Sequence, residues 1–360
     1  MPMLVVAVTL ACWTYCRPLS AQAPALGYAF PPAVQIGETA VVQLGGYDFT
    51  SDMQFFSHHP GVKLETEGRP GEFFVPPPPY WFGEKSRDAA FPIPREVEAQ
   101  VTLATDVTPG LARWQVANAN GVSAAAVLLA TAEPVFVERR WRDDPQTLPT
   151  LSVKKSFGVS GRIGKIAEVD RYRCTVEQDG PVTAELFARR LGAEFNGLLE
   201  VHELASDGST LVMDRADTLG SDLQLTWTAR GGRAYEVRLH DIDYRGNRAY
   251  VYHLKLSAGP RVVATLPATL SPGETREVQL IGYGLSAAAK SGKERETEVA
   301  APAPLQQVQR RVEAPANAQD TWIYRLATPH GDTDVSFPIV AVAEQTVTSS
   351  QAGAGSDAVH

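Results

Sequence analysis

Few residues in this sequence are spaced for catalysis. The 360-residue chain contains seven His and three Cys, but no Gly-x-Ser-x-Gly element, no His-Glu-x-x-His and no Cys-x-x-Cys. Those motifs place a nucleophile on a tight strand-to-helix turn, or hold metal ligands at a fixed spacing. A triad built from distant residues is recognised by its geometry and not by sequence spacing. The sequence therefore favours a protein that is not an enzyme, with a secreted hydrolase carrying a dispersed site as the alternative.

The adjacent histidines and the lone strand cysteine are poor candidates for chemistry. In a strand, the rings of His58 and His59 point to opposite faces and cannot grip one ion together. They precede Pro60 and Gly61, which predict a loop. Cys174 alternates with Tyr172 in a predicted strand, so we expect a buried, unreactive thiol.

A group of three acids flanks a glycine-containing loop. Asp214, Asp217 and Asp222 could offer oxygen ligands to a cation. The simpler interpretation is that they are solvated loop residues. The sequence favours this second interpretation.

The most unusual stretch is the aromatic and proline-rich segment 73–82, FFVPPPPYWF. Four consecutive prolines favour polyproline II and cannot join a central sheet. The segment either folds back over a neighbouring sandwich or forms a surface that binds a ligand or a protein. In the second interpretation Tyr80, Trp81 and Phe82 are the contact residues.

The first 23 residues have the pattern of an export signal. Residues 3–12 form an apolar run, and Ala21-Gln22-Ala23 supplies the small-x-small pattern of a cleavage site. The segment lacks the usual early Lys or Arg, so a buried first strand or helix and a lipoprotein acylated at Cys12 are the alternatives. No other apolar run reaches transmembrane length, so we expect no membrane span. We therefore expect an exported protein that is periplasmic, on the cell surface or extracellular.

Composition excludes several classes of protein. The chain carries 41 acidic and 33 basic residues, a net charge of −8, and 44% of its residues are hydrophobic. A nucleic-acid binder needs clustered cations to displace counterions, so we expect no nucleic-acid partner. The apolar fraction is too high for a wholly disordered chain.

An internal repeat organises the chain. Residues 37–47 (GETAVVQLGGY) and 273–283 (GETREVQLIGY) are identical at eight of eleven positions. A weaker match joins residues 114–121 to residues 324–331. The repeat predicts two copies of one domain, at 24–137 and 261–346.

Hydrophobic residues recur at every second position along most of the chain. This period and the many Gly, Pro and Asn turns predict short antiparallel strands. The fold class is therefore all-β, with three consecutive β-sandwich modules at 24–137, 138–260 and 261–346. Residues 286–304 are expected to be a solvated insertion, and residues 347–360 a disordered tail.

The middle of the chain resembles a known family. Its opening segments GRI (161–163) and EVDRYR (168–173), its central segment LFARRLG (186–192) and its closing segment AYVYHL (249–254) look like strands of the bacterial pre-peptidase C-terminal domain. The flanking repeats are similar to immunoglobulin-like modules of large exported proteins of planctomycete-type bacteria. The resemblance implies the order immunoglobulin-like, jelly-roll-like, immunoglobulin-like. It also implies an accessory role beside secreted enzymes and not catalysis.

Some members of that family bind calcium through acids near the first strand. The resemblance places Glu168 and Asp170 at one of these positions. The other position falls at residues 138–144, where three arginines stand among the acids, and cations repel calcium. We therefore expect no cofactor, with calcium at Glu168 and Asp170 as the alternative.

Together these features predict an exported, non-catalytic binding or adhesion protein. Its partner would be an extracellular protein or polysaccharide surface. The alternative is an accessory subunit of a secreted peptidase.

Overall fold

The computed structural model describes residues 23–47, 49–68, 95–139, 144–205, 208–216, 222–287 and 300–340. The predicted signal peptide (apart from Ala23), the residues Tyr80, Trp81 and Phe82, and the predicted tail lie outside these ranges. The described residues form 25 β-strands and one short 3-10 turn, Arg189–Leu191, and no α-helix occurs among them. The all-β class is therefore confirmed. The part of the chain that the structure describes contains no helix able to cross a membrane.

The first unit, within residues 23–131, packs two sheets face to face. One sheet has the spatial order β1 (Ala25–Phe30), β3 (Thr39–Tyr47), β6 (Arg95–Leu103), β5 (Val62–Glu67). The other has the order β2 (Ala33–Gln35), β9 (Ala126–Thr131), β7 (Gly110–Asn118), β4 (Gln54–Ser57), with β8 (Gly121–Val122) beside β7. Alternate residues of both sheets, such as Val42 and Trp114, meet in one core.

The middle unit, within residues 135–258, contains the two largest sheets. One has the order β10 (Val135–Val137), β12 (Phe157–Arg162), β19 (Val251–Ala258), β14 (Gly180–Phe187), β17 (Leu223–Ala229), β22 (Ala301–Pro302). The other has the order β11 (Gln146–Thr147), β13 (Asp170–Thr175), β18 (Ala234–Asp241), β15 (Gly197–Ala205), β16 (Gly208–Ala216). Their core is rich in large aromatic side chains, including Tyr172, Trp227 and Tyr252.

The last unit, within residues 261–340, has two smaller sheets around a separate core. The first has the order β20 (Arg261–Leu266), β21 (Thr275–Tyr283), β23 (Gln306–Glu313), and the second pairs β24 (Thr321–Thr328) with β25 (Gly331–Pro338). The division into three modules remains our interpretation of these sheets and cores.

The repeated sequence adopts the same local structure in the first and last units. Phe30 pairs with Gln43 in one unit, and Leu266 pairs with Gln279 in the other. Each first strand has a bulge, and a cis proline, Pro31 or Pro267, follows it. The turn glycines are also alike, because Gly37 and Gly273 have φ of +84° and +71°. A residue with a side chain is strained at these angles, which explains why both copies carry glycine there.

The first and middle units are packed directly against each other. Tyr28 and Phe30 of β1 belong to the middle core. The Arg162 guanidinium lies 4.3 Å from the ring centroid of Phe30, and its Nη1 lies 3.4 Å from Glu96 Oε1. Leu191 of the middle unit packs in a small cluster with residues of β2 and β9.

The last unit contributes a strand to the middle unit. In β22, Ala301 and Pro302 pair with Thr228 and Trp227 of β17. The preceding Ala300 is buried in the middle core. At this end of the predicted solvated insertion, Ala300 is therefore buried, whereas Ala301 and Pro302 are exposed on the edge strand of the sheet. Residues 288–299 lie outside the described ranges.

Candidate functional site

The first candidate is the pair predicted for calcium, Glu168 and Asp170, which line one cavity of about 600 Å³ but have different hydrogen-bond partners. Asp170 begins β13 and turns inward, where the Tyr252 hydroxyl donates to its Oδ2 at 2.5 Å. Burial raises the pKa of Asp170 well above its usual value, and the nearby charges of Glu138 and Glu168 raise it further, although the Tyr252 bond opposes them. Glu168 instead accepts a hydrogen bond from the Lys165 N–H at 2.7 Å.

The structure brings Glu138 next to Asp170, so the two stretches that the family resemblance singled out, 138–144 and 168–170, do lie side by side. Glu138 and Asp170 line a small cavity of about 40 Å³ together with Arg139, Asp144 and Arg171. Glu138 Oε2 accepts a hydrogen bond from the backbone N–H of Arg162 at 2.6 Å.

This cluster is a poor fit for calcium. Calcium takes six to eight oxygen ligands. Glu138 and Asp170 each already accept a hydrogen bond, and two guanidinium groups line the same cavity. Within the described ranges, no three His, Cys, Asp or Glu side chains come together as metal ligands. Calcium at Glu168 and Asp170 stays a prediction, and we assign it no role in the protein.

Two other sequence candidates have structural roles. His58 shares a hydrogen bond with Gln115 Oε1 at 2.6 Å, whereas Nδ1 of His59 accepts one from the Gly61 N–H at 3.1 Å, so the two rings do not converge. The Cys174 thiol is buried, and burial raises its pKa to about 12. Such a thiol is a poor nucleophile at neutral pH, as the sequence indicated.

The interpretation of Asp222 as a solvated acid was wrong. Asp222 is buried and accepts hydrogen bonds from three successive backbone N–H groups, those of Ala188, Arg189 and Arg190. The Arg190 side chain also donates to it at 2.7 Å. It therefore organises the 3-10 turn. Asp214 is exposed, and Asp217 lies outside the described residues.

One serine–histidine pair is present in the middle unit. Ser160 Oγ lies 3.0 Å from His253 Nδ1, across the β12–β19 ladder. Both residues are at most 1% exposed, and burial lowers the pKa of His253 to about 3. A substrate cannot reach this pair, so we interpret it as a buried hydrogen bond.

The second candidate is a groove of about 530 Å³ between the middle and last units, which we call the junction groove. Such a volume is in the range of ligand sites. Strands β16, β17, β20, β21 and β22 and the segment after β22 form its walls. Its lining consists of Met213, Arg215, Gln224, Leu225, Thr226, Arg261, Val262, Val263, Tyr283, Pro302, Ala303 and Leu305.

The junction groove has an apolar surface that remains open. Leu225 and Met213 are buried, but Val263 is 45% exposed and Leu305 is 55% exposed. Aliphatic side chains left half-exposed inside a concavity are available for contact with a partner.

The charged groups of the junction groove are all cationic. Arg215 and Arg261 line it, and no described lining residue is acidic. Arg261 pairs with Glu185 at 3.1 Å, outside the lining. Arg215 Nη1 donates to the Asp214 backbone carbonyl at 2.6 Å and lies 3.9 Å from the exposed carboxylate of the same residue.

Sequence reasoning missed the junction groove because its walls come from strands far apart in the chain. Among these strands, only β20 has a sequence feature that points to the groove. Its adjacent Val262 and Val263 break the period of two, and both line the groove.

Comparisons with known proteins give resemblance of fold only. No family model matches the chain, and no curated protein matches it. Among solved structures, it is similar to the pre-peptidase C-terminal domain of a collagenase from Bacillus anthracis, with 11% identity and a TM-score of 0.24. The match covers 33% of this chain and all of that one.

Two further solved structures are similar at the same level. The surface-associated copper-binding protein CorA of Methylomicrobium album has 10% identity and a TM-score of 0.23, covering 32% of this chain and all of that one. A Bacteroides ovatus protein of a mixed-linkage glucan utilisation locus, solved with a heptasaccharide, has 9% identity and a TM-score of 0.19. That match covers 62% of this chain and 72% of the other. We draw no functional conclusion from likeness at these scores.

Proposed function

We propose that this chain is an exported, non-catalytic protein that binds an extracellular protein or polysaccharide through the junction groove. The observation that carries the proposal is the groove itself, an open concavity with half-exposed aliphatic side chains and two arginines but no acidic residue in its described lining. We also propose that the middle unit is a divergent pre-peptidase C-terminal domain, on the strength of the quoted motifs. Export is part of the proposal and rests on the pattern of the first 23 residues.

The direct test is retention of the full chain on immobilised extracellular polymers. We expect binding to at least one of a panel of fibrous proteins and insoluble polysaccharides. The double substitution of Val263→Ser and Leu305→Ser should abolish that binding, because both residues line the groove. Ile323→Ser is the matched control, since Ile323 is 51% exposed on β24 and does not line the groove. Binding that survives the double exchange would assign the activity to another surface.

The two alternative functions, an accessory subunit and a hydrolase, predict different results with the same purified protein. An accessory subunit of a secreted peptidase would co-purify with that enzyme and change its activity toward an insoluble substrate. A hydrolase with a dispersed site would cleave peptide or glycan substrates, and single substitutions would abolish cleavage. The second result would overturn the non-catalytic proposal.

A further inference from the structure

The aliphatic character of the junction groove distinguishes between the two classes of partner. A polysaccharide carries hydroxyl groups around every ring, and these need hydrogen-bond partners when they leave water. The exposed part of the groove offers Val263, Leu305 and Pro302, whose side chains form no hydrogen bonds. Tyr283 is the single aromatic residue in the described lining. This surface suits the aliphatic side chains of a polypeptide better than sugar rings.

The strands around the groove favour an extended partner. Within the described part of the chain, β16 and β20 lie at the ends of their sheets, and both line the groove. An extended polypeptide lies naturally along such edges, with alternate side chains directed into the pocket.

The charge of the groove indicates the polar part of that partner. Arg215 and Arg261 face no acidic lining residue among those described, while the chain as a whole is acidic. A carboxylate on the partner would complement Arg215, whose guanidinium donates to the Asp214 carbonyl oxygen at 2.6 Å and lies 3.9 Å from the exposed Asp214 carboxylate.

We propose that the junction groove binds an extended polypeptide segment in which acidic and aliphatic side chains adjoin. This inference rests on the proposed function and names the partner class for the same site.

The experiment uses fluorescence anisotropy with the full chain and three labelled peptides. The first alternates Glu with Leu, the second replaces Glu by Lys, and the third replaces Leu by Ser. An oligogalacturonate, which is acidic but not a polypeptide, is the fourth probe. We expect the Glu/Leu peptide to bind about tenfold or more tightly than each of the other three probes.

Variants then locate the binding. Arg215→Glu should weaken binding of the Glu/Leu peptide about tenfold and strengthen binding of the Lys/Leu peptide, because the exchange replaces one of the two lining cations by an anion. Arg325→Glu is the control, since Arg325 is an exposed arginine of the last unit outside the groove. Leu305→Ser should also weaken binding, whereas Ile323→Ser should leave it unchanged.

The experiment distinguishes failure of the proposed partner class from failure of the groove as a peptide-binding site. If oligogalacturonate binds in a way that Arg215→Glu abolishes and the peptides do not bind, the partner class is wrong and the groove remains a binding site. If no probe binds, or if binding ignores the groove variants, the inference is overturned. Retention on immobilised polymers then decides the proposed function independently.

Discussion

At the scale of single residues, buried polar groups in this protein organise loops. Asp241 is fully buried and accepts hydrogen bonds from the backbone N–H groups of Asn196, Asp243 and Arg245. Burial alone would raise its pKa, but the Arg245 side chain and these N–H groups outweigh burial and lower it. Acids that look like ligands in the sequence therefore replace missing backbone partners in the fold.

His253 should make the protein sensitive to acid. Its pKa is about 3 in the folded chain and 6.5 as a free imidazole, so between these values the unfolded state binds more protons. Stability should fall as pH falls from 6.5 toward 3, by up to about 1.4 kcal/mol per pH unit. Unfolding in urea at several pH values measures this slope.

A shallower slope is expected for His253→Gln, because glutamine does not titrate. Ile323→Ser, at an exposed position without a titrating group, is the control and should keep the slope of the unchanged protein. Equal slopes for the His253 variant and the unchanged protein would show that His253 is not the acid-sensitive group.

Gly161 should not tolerate a side chain, because Tyr252 and Glu138, the neighbours of Asp170, pack closely against it. A Cβ at Gly161 would lie 2.3 Å from the Tyr252 hydroxyl oxygen and 2.6 Å from Glu138 Oε2. Gly161→Ala should therefore destabilise the protein by about 1–3 kcal/mol, measured by urea unfolding. Gly164→Ala is the control, because the nearest atom to its Cβ would be at an ordinary 3.6 Å. Equal stability of the two variants would contradict the described packing.

At the scale of elements, the repeated strand is shaped by close backbone contact. A Cβ at Gly46 would lie 2.4 Å from the Ala25 carbonyl oxygen, and one at Gly282 would lie 2.0 Å from that of Arg261. The first strand of the first unit and that of the last unit each have a bulge opposite this glycine.

Alanine at either repeated glycine should have the same effect. Gly46→Ala and Gly282→Ala should each lower the midpoint of thermal unfolding, with a cost of about 1–3 kcal/mol, because the backbone must move apart. Thr275→Ala, at an exposed position of β21, is the control. A cost at one glycine alone would mean that the two copies are not packed alike.

Strand β22 should depend on one buried carboxylate. Glu203 accepts a hydrogen bond from the Ala300 N–H at 3.0 Å and pairs with Arg230 and Arg233. Glu203→Gln removes the negative charge that pairs with those arginines. We therefore expect β22 to be held less firmly against β17. Hydrogen exchange of the Ala303 N–H, which bonds to the Thr226 carbonyl, should rise about tenfold or more.

Glu200→Gln tests whether this effect is specific. Glu200 lies on the same strand β15 but pairs with His202 and Arg238, away from β22. It should leave exchange at Ala303 unchanged. Equal exchange in both variants would remove Glu203 from this role.

At the scale of the whole molecule, the three units should unfold in a coupled way. Arg162 connects the middle unit to Phe30 and Glu96 of the first, and its side chain is 11% exposed. Removing that contact with Arg162→Ala should uncouple the first unit, so that scanning calorimetry shows it unfolding earlier than the rest. Arg113→Ala, at an exposed position of β7, should leave the profile unchanged. An unaltered profile for Arg162→Ala would place the coupling elsewhere in the junction.

The sequence by itself determined the all-β class, the internal repeat and the burial of Cys174. Each of these depends on local information, because side chains two apart on a strand face the same way and turn residues act within a few positions. Only the tertiary structure decided that β22 joins the middle sheet, that Glu138 lies beside Asp170, and that a cationic, aliphatic groove opens where the middle and last units meet. Those features depend on which distant strands become neighbours, and a local pattern of alternation carries no record of that choice.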